Sequence, residues 1–590
     1  MKERFTAFFG ARLAAVRAFG MRQYLLRLLL GFFAAILIYA LGNPARFTET
    51  AFYSDAQLFG VILHTAVFFL VALLIVKDRA VALFLVAVAT VYFADRAIGT
   101  NDYAFAFAAS LVVVALAVYA DLSFGKWDIG PRTLYIGAGV LFALFVLFVG
   151  GLCCLYYRNY YTQTYDFGIF SQMFHYMRET GKCLTTCERD GLLSHFAVHF
   201  SPIYYLLLPF YFLIPSPETL LVMQAIVAAS GVIPVLLLCR RFAFSRRATL
   251  AFAAIYLLYP AFLEPNFYYL HENCFLSPII LWLCYFFLGE RVWPILATSV
   301  LLIMVKEDAT VYLAVVALYF LLSGKGKRRW TALGVLCLAV SSFVLITQLM
   351  GSFGEGVMSD SRYGDYIYDG GGLLTVIKAC LQNPAYAVRQ ILRQEKLIFI
   401  LQMLAPLAFL PLASRNPARL VLLIPFLLVN LMTSYVYQYN IGFQYVYGSG
   451  ALLFFLAIVN AKDLDRHRAR VILCALLCSV LVFSGGAAHR LGFINQHKTT
   501  EWIRTEMDTA LSMIPEDASV AASTFLVANL SARDEIYELE TTKHAKECEY
   551  IVIDLRFESS VKPSRYENSS YERIYYADGV VAIYKNLTIQ

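Results

Sequence analysis

The sequence predicts an all-α polytopic membrane protein of about 15 spans, with one further re-entrant or interfacial segment and a small C-terminal α/β domain outside the membrane. Three observations carry this. Of the 590 residues 60% are hydrophobic and only 15% charged, against roughly 25% charged in soluble domains. Apolar runs near the length of about 20 residues that crosses a bilayer recur along the chain. Lys and Arg cluster at alternate ends of those runs, the pattern of cytoplasmic loops. The net charge of +7 is therefore an orientation signal, and no nucleic-acid partner is expected.

Taken in order, runs near 24–41, 57–76, 80–95 and 103–120 make a four-span N-terminal module, residues 1–132. Its basic, amphipathic leader ends at Arg27 and is expected in the cytoplasm. The first run is too long for a signal-peptide core and reads as a retained anchor. The membrane core, 133–490, carries runs near 133–155, 219–239, 248–264, 274–289, 293–306, 309–323, 331–350, 397–412, 418–434, 447–460 and 470–487. Basic clusters at Lys77 and Arg79, Lys126 and Arg132, Arg240 to Arg247, Lys325 to Arg329, Arg415 and Arg419, and Lys462 to Arg470 all reach one face on one condition. PIYYLLLPFYFLI, 202–214, must not cross. It is short and holds two prolines, which suits a segment lining a cavity. The opposite, non-cytoplasmic face then receives 156–201, 266–274, 306–308, 351–396, 435–448 and everything after 488.

The tail, 491–590, changes character. Thr500 to Met513 has helical periodicity, and SVAASTF, EYIVIDL and VVAIYKN read as strands. No Gly-rich phosphate loop occurs in it. NLS, NSS and NLT match a glycosylation acceptor pattern that depends on the host. The twelve Cys are scattered, mostly in apolar segments. Cys183 and Cys187 are either a disulfide or two free thiols.

Residues 165–202 hold Asp166, Gln172, His175, Glu188, Arg189, Asp190, His195 and His199 between two apolar blocks. Such a density of ionisable groups belongs at a membrane surface or in a wet cavity. Phe167, Phe170, Phe174 and Met177 share one face of a helix, with Gln172, His175 and Glu179 away from it, which suggests a helix lying flat on the membrane. Asp166 either caps that helix or serves as a general base. His195 and His199, four apart, share a helix face. They suit a weak metal pair, a phosphate donor or plain interfacial histidines. Lys306 is either a snorkelling lysine or a cation for a phosphate leaving group, fixed by Glu307 and Asp308, which could instead hold a divalent cation. His271 and Glu272 end another turn on the same side. Arg362, with Tyr363 and Asp365, and the Tyr-rich 435–447 are candidates for a sugar site.

YDFGIFSQ, HFSPIYYLLLPFYFLIPSPETLLVMQA, the HE of LHENCF, KED, and the tail phrase IPEDASVAASTFLVANLSAR resemble the prokaryotic membrane family called domain of unknown function 2079, over roughly 155–590. A common DFH form at the 271 region is replaced here by Tyr269, Leu270 and His271. That family is in turn similar to the GT-C glycosyltransferases, which carry an acidic residue in the first large non-cytoplasmic loop, where Asp166 stands. The resemblance implies a GT-C-like fold in the cell membrane and transfer of a sugar from a polyprenyl-phosphate donor to an acceptor hydroxyl. Asp166 would be the base. Lys306, His271, Arg362 and His199 would meet the phosphate, supported by Gln172, Glu272, Glu307, Asp308 and His195. No metal is specified. The alternatives are a transporter or flippase of a lipid-linked solute, which would spread charge over both faces, and a scaffold.

Overall fold

The computed structural model describes residues 10, 12–42, 55–124, 128–353, 360–368 and 373–589. Lys126, residues 1–9 and 11 of the leader, and 354–359 and 369–372 of the 351–396 loop lie outside the described residues. Among the described residues, seven helices are long and apolar enough to cross a membrane, or eight if the bent pair Arg246–Leu258 and Pro260–Tyr268 counts as one span. Six more apolar helices have 10–17 residues. The chain is thus a multi-pass, mostly helical membrane protein. Residues 202–214 form two short helices, Pro202–Leu206 and Leu208–Leu213. At 1.5 Å per residue neither is long enough to cross.

Four helices open the fold: α1 (Met21–Gly42), α2 (Asp55–Leu73), α3 (Asp78–Ala97) and α4 (Tyr103–Tyr119). They share a core of their own around Leu26, Phe33, Leu85 and Val113, joined by Leu477 and Leu481 from the helix Arg468–Gly485. A Cβ on Gly31 would sit 2.8 Å from the α2 backbone at Thr65 and Phe69, so glycine is what lets α1 and α2 touch. Arg27 is fully buried here. Its guanidinium donates to Asp78 at 2.9 Å and to the Ile75 carbonyl at 2.6 Å, which repays its desolvation.

From α5 (Pro131–Arg158) onward one continuous apolar core runs through the remaining helices. Its central post is the segment Gln444–Lys462, with 94% of its span buried. The pair Arg246–Leu258 and Pro260–Tyr268 bends by 56° at Pro260. The bend is held by Glu264, which accepts from the Tyr103 hydroxyl at 2.6 Å and pairs with Arg490 at 2.7 Å. The same contacts tie the first helices to the turn that carries the site.

After α5 the chain forms α6 (Ile169–Thr180) and a two-residue hairpin, β1 (Leu184–Thr185) against β2 (Leu193–Ser194). Gly181 ends α6 at φ +73, the left-handed conformation in which glycine meets no Cβ clash. The tail folds as expected in kind. Glu501–Leu511 is a helix, and a five-stranded sheet follows with β3 (Val520–Ala522), β4 (Ile536–Glu538), β5 (Tyr550–Asp554), β6 (Tyr571–Ala577) and β7 (Val581–Asn586). The order is β4-β3-β5-β7-β6, parallel at β3-β4 and β3-β5 and antiparallel beyond. Both faces are covered: Met507 and Ala510 of the helix pack on one, Tyr566 and Val561 on the other.

The face of α6 that carries Gln172, His175 and Glu179 is not open throughout: Glu179 is exposed and His175 half-buried. Gln172 is fully buried, because the tail domain covers it. The Gln172 amide donates to the Asp534 carbonyl and the Thr186 hydroxyl, both at 2.9 Å. Its oxygen accepts from the Thr186 N–H at 2.8 Å and the Thr185 hydroxyl at 2.9 Å. The edge strand β4 therefore lies along residues 185–190, and the Thr186 hydroxyl donates to Ile536 at 2.6 Å.

Candidate functional site

A cavity of about 710 Å³ opens where these pieces meet. Four membrane-end turns and the tail domain all contribute to its wall. Asp166 enters through the π-helical turn Thr164–Gly168 that precedes α6. Such widened turns recur at functional sites because they re-aim one side chain. The turn is pinned from outside: the Thr164 N–H donates to the Thr524 hydroxyl at 3.2 Å, and its own hydroxyl donates to the Thr524 carbonyl at 2.9 Å. Asp166 is 31% exposed, and its Oδ2 lies 3.3 Å from His271 Nε2.

His271 is 3% exposed and follows a strained residue. Tyr269 has φ +70, an uncommon conformation for an aromatic residue. Its hydroxyl donates to the Tyr161 carbonyl at 3.0 Å, so packing over-determines the turn. The His271 ring stacks on Tyr268 with centroids 5.2 Å apart. Its Nδ1 faces the Tyr269 carbonyl at 3.3 Å, which turns Nε2 toward Asp166.

Glu272 and Lys306 form a buried ion pair at 2.8 Å. The Tyr204 hydroxyl donates to the second Glu272 oxygen at 2.6 Å. Burial opposes the lysine charge, but Glu272, with Glu307 and Asp308 nearby, pushes Lys306 well above the ordinary lysine range. The partner of Lys306 is thus the distant Glu272, where the sequence pointed to its neighbours. Glu307 instead accepts from His199 Nδ1 at 2.9 Å and the Phe200 N–H at 3.2 Å. Burial opposes its charge, yet His199 and Lys306 draw the Glu307 carboxyl down to about 2. Burial raises the Asp308 carboxyl.

His195 is 1% exposed, and Glu188 grips its Nδ1 at 2.9 Å. Burial works against a charged imidazole, but Glu188 outweighs it and His195 lies above its ordinary value. His195 and His199 do share a side, with ring centroids 5.9 Å apart. Each is committed through Nδ1 to its own carboxylate. Among the described residues no three His, Cys, Asp or Glu side chains converge closely enough to hold a metal ion. Cys183 and Cys187 are free thiols; Cys187 donates to the Ile536 carbonyl at 3.2 Å.

Asp166, His195, His199, His271, Glu272 and Lys306 all line the one cavity. Gln172, Glu307, Asp308 and Arg362 do not. Gln172 holds the tail domain, and Glu307 holds His199. Arg362 stacks over Tyr435 at 5.7 Å and Tyr445 at 5.3 Å, so it stiffens the aromatic wall of Tyr435, Tyr437, Phe443 and Tyr445. Sequence reasoning missed Tyr537, Glu538 and Thr541, which the tail domain adds to the cavity. It also missed the pairing of Glu188 with His195, whose signal is a seven-residue separation across a hairpin.

Residues 156–581 match the family described as "Predicted membrane protein (DUF2079)". The chain belongs to this family. The match begins at the end of α5 and takes in all five cavity-forming segments, whereas α1 to α4 stand before it. Among curated proteins, none matches the chain.

Proposed function

We propose that this member of the DUF2079 family is a membrane glycosyltransferase of GT-C architecture. It would move a sugar from a polyprenyl-phosphate donor to an acceptor hydroxyl at the non-cytoplasmic face of the cell membrane. In that fold the shorter apolar helices also cross, giving about 15 spans with the N-terminus in the cytoplasm. The observation that carries the reading is the Asp166 carboxylate, one-third exposed on the cavity wall with His271 Nε2 3.3 Å away. A carboxylate so placed can take the acceptor's proton while the acceptor oxygen bonds to the anomeric carbon. The bond from that carbon to the phosphate oxygen breaks, and its electron pair leaves with the phosphate. Positioned base catalysis is worth about 10²–10⁴ in rate. The aromatic wall of the cavity suits the apolar faces of a sugar ring, and the Tyr hydroxyls its edges.

The test is mass spectrometry of lipid-linked sugars and surface glycans in a deletion strain carrying either the native chain or Asp166→Asn. The native chain should restore a missing glycan. Asp166→Asn should insert normally yet leave the donor lipid unconsumed. Full complementation by Asp166→Asn would remove the base and, with it, this reading.

A further inference from the structure

The His195 and His199 rings on the cavity wall are each clamped at Nδ1 by a buried carboxylate, Glu188 at 2.9 Å and Glu307 at 2.9 Å. A carboxylate at Nδ1 fixes the ring and leaves Nε2 as the working atom. In His195 that atom is buried and has no hydrogen-bond partner, although the ring lines the cavity. The adjacent His199 ring lines the same stretch and is more open, at 26% exposure. An unmet buried donor costs about 1–3 kcal/mol, so the His195 edge without an acceptor, beside the more open His199 ring, points to a missing ligand atom. Glu188 favours the charged His195 ring, which makes Nε2 a donor and calls for an acceptor oxygen. Lys306 on the same wall adds positive charge but is held by Glu272 at 2.8 Å. A metal needs deprotonated nitrogens and a third ligand, and no such third group converges among the described residues.

We infer that His195 and His199 form a phosphate subsite, with His195 donating from Nε2 to a non-bridging oxygen of a phosphate monoester and the His199 ring lining the pocket beside it. The assignment of that group to the departing polyprenyl phosphate rests on the glycosyltransferase reading; the anion chemistry does not. The role falls to the imidazoles because the lysine on this wall is already neutralised by Glu272.

The experiment uses the full chain in lipid nanodiscs with ¹⁵N-labelled histidine. Two probes are titrated separately, inorganic phosphate and a polyprenyl monophosphate carried in the disc. Both should bind saturably and move the Nε2 signals of His195 and His199. His195→Gln and His199→Gln should each weaken binding at least tenfold, while His489→Gln, outside the cavity, should bind as the native chain does. Should His195→Gln fail to fold, the native spectrum decides: a His195 Nε2 signal unmoved at saturation overturns the subsite. Polyprenyl phosphate bound equally by native and variant chains overturns the subsite and leaves the glycosyltransferase reading standing. His-dependent binding of inorganic phosphate alone supports the subsite and removes the polyprenyl donor. Binding of neither probe by the native chain overturns the subsite, as does capture of Zn²⁺ by the two rings in place of phosphate.

Discussion

Oδ2 of Asp166 lies 3.3 Å from Nε2 of His271, although one residue sits in a π-helical turn and the other follows a left-handed tyrosine in a separate membrane-end turn. The partnership has a kinetic signature. If Asp166 is the base of the proposed transfer and His271 orients it, His271→Asn should slow turnover by about 10–100-fold, less than the loss in Asp166→Asn. Residues that act as a unit are not additive. The double variant Asp166→Asn/His271→Asn should therefore be no slower than Asp166→Asn alone. Fully additive losses in steady-state turnover of the lipid donor would separate the two residues.

Gln172 satisfies both ends of its amide on the tail domain and the hairpin. Gln172→Ala leaves the hydroxyls of Thr185 and Thr186 and the Asp534 carbonyl without it, at about 1–3 kcal/mol for each group left unmet. The tail domain should loosen while the membrane helices stay folded. Hydrogen exchange in nanodiscs should show lost protection at 184–190 and 533–538, with the α1–α4 core unchanged. Undiminished protection at both segments would mean that the clamp is redundant.

Glu272→Gln removes the counter-charge of a lysine that is almost fully enclosed. Breaking one side of a buried pair costs about 3–5 kcal/mol. The variant should melt far below the native protein or fail to accumulate. Exchanging both members, Glu272→Leu with Lys306→Met, removes the stranded charge and should recover much of that loss while abolishing function. Thermal melts in detergent compare the three. A double variant no more stable than Glu272→Gln would show that the pair serves packing rather than charge balance.

These contacts also show what the sequence could and could not reveal. Charge asymmetry between loop faces was enough to bring the Asp166, His271 and Lys306 turns to one side, and the structure lines one cavity with all three. The break of 202–214 into two short helices was legible from its length and prolines. Pairing was not. Lys306 stands beside Glu307 and Asp308 in the chain, yet the fold gives it Glu272 and gives Glu307 to His199, because ion pairs follow distance in space. Gln172 read as a polar surface residue since nothing in α6 announces that a domain over 300 residues later will cover it. That domain's edge strand β4 has three residues, too few for an alternating pattern to register, and so Tyr537 and Glu538 stayed hidden.

His195 and Glu307 are shifted in opposite directions, and this is testable by pH alone. His195 is raised above its ordinary 6.5, the burial penalty being outweighed by Glu188. A raised base contributes stability in full below its unfolded value and loses it as pH rises through the folded value. Glu307 is drawn from 4.5 down to about 2, burial being outweighed by His199. A depressed acid contributes in full above its unfolded value and loses that contribution as pH falls toward the folded one. Both contributions are therefore complete between about 4.5 and 6.5. Glu188→Gln deletes only the alkaline-side contribution. The native chain should exceed Glu188→Gln in melting temperature most clearly at pH 5.5, and the gap should narrow as pH is taken to 9. For Glu307→Gln the gap should instead close on the acid side, below pH 4. A Glu188→Gln gap that widens with rising pH would mean that His195 is held neutral, and the donor role of its Nε2 would go with it.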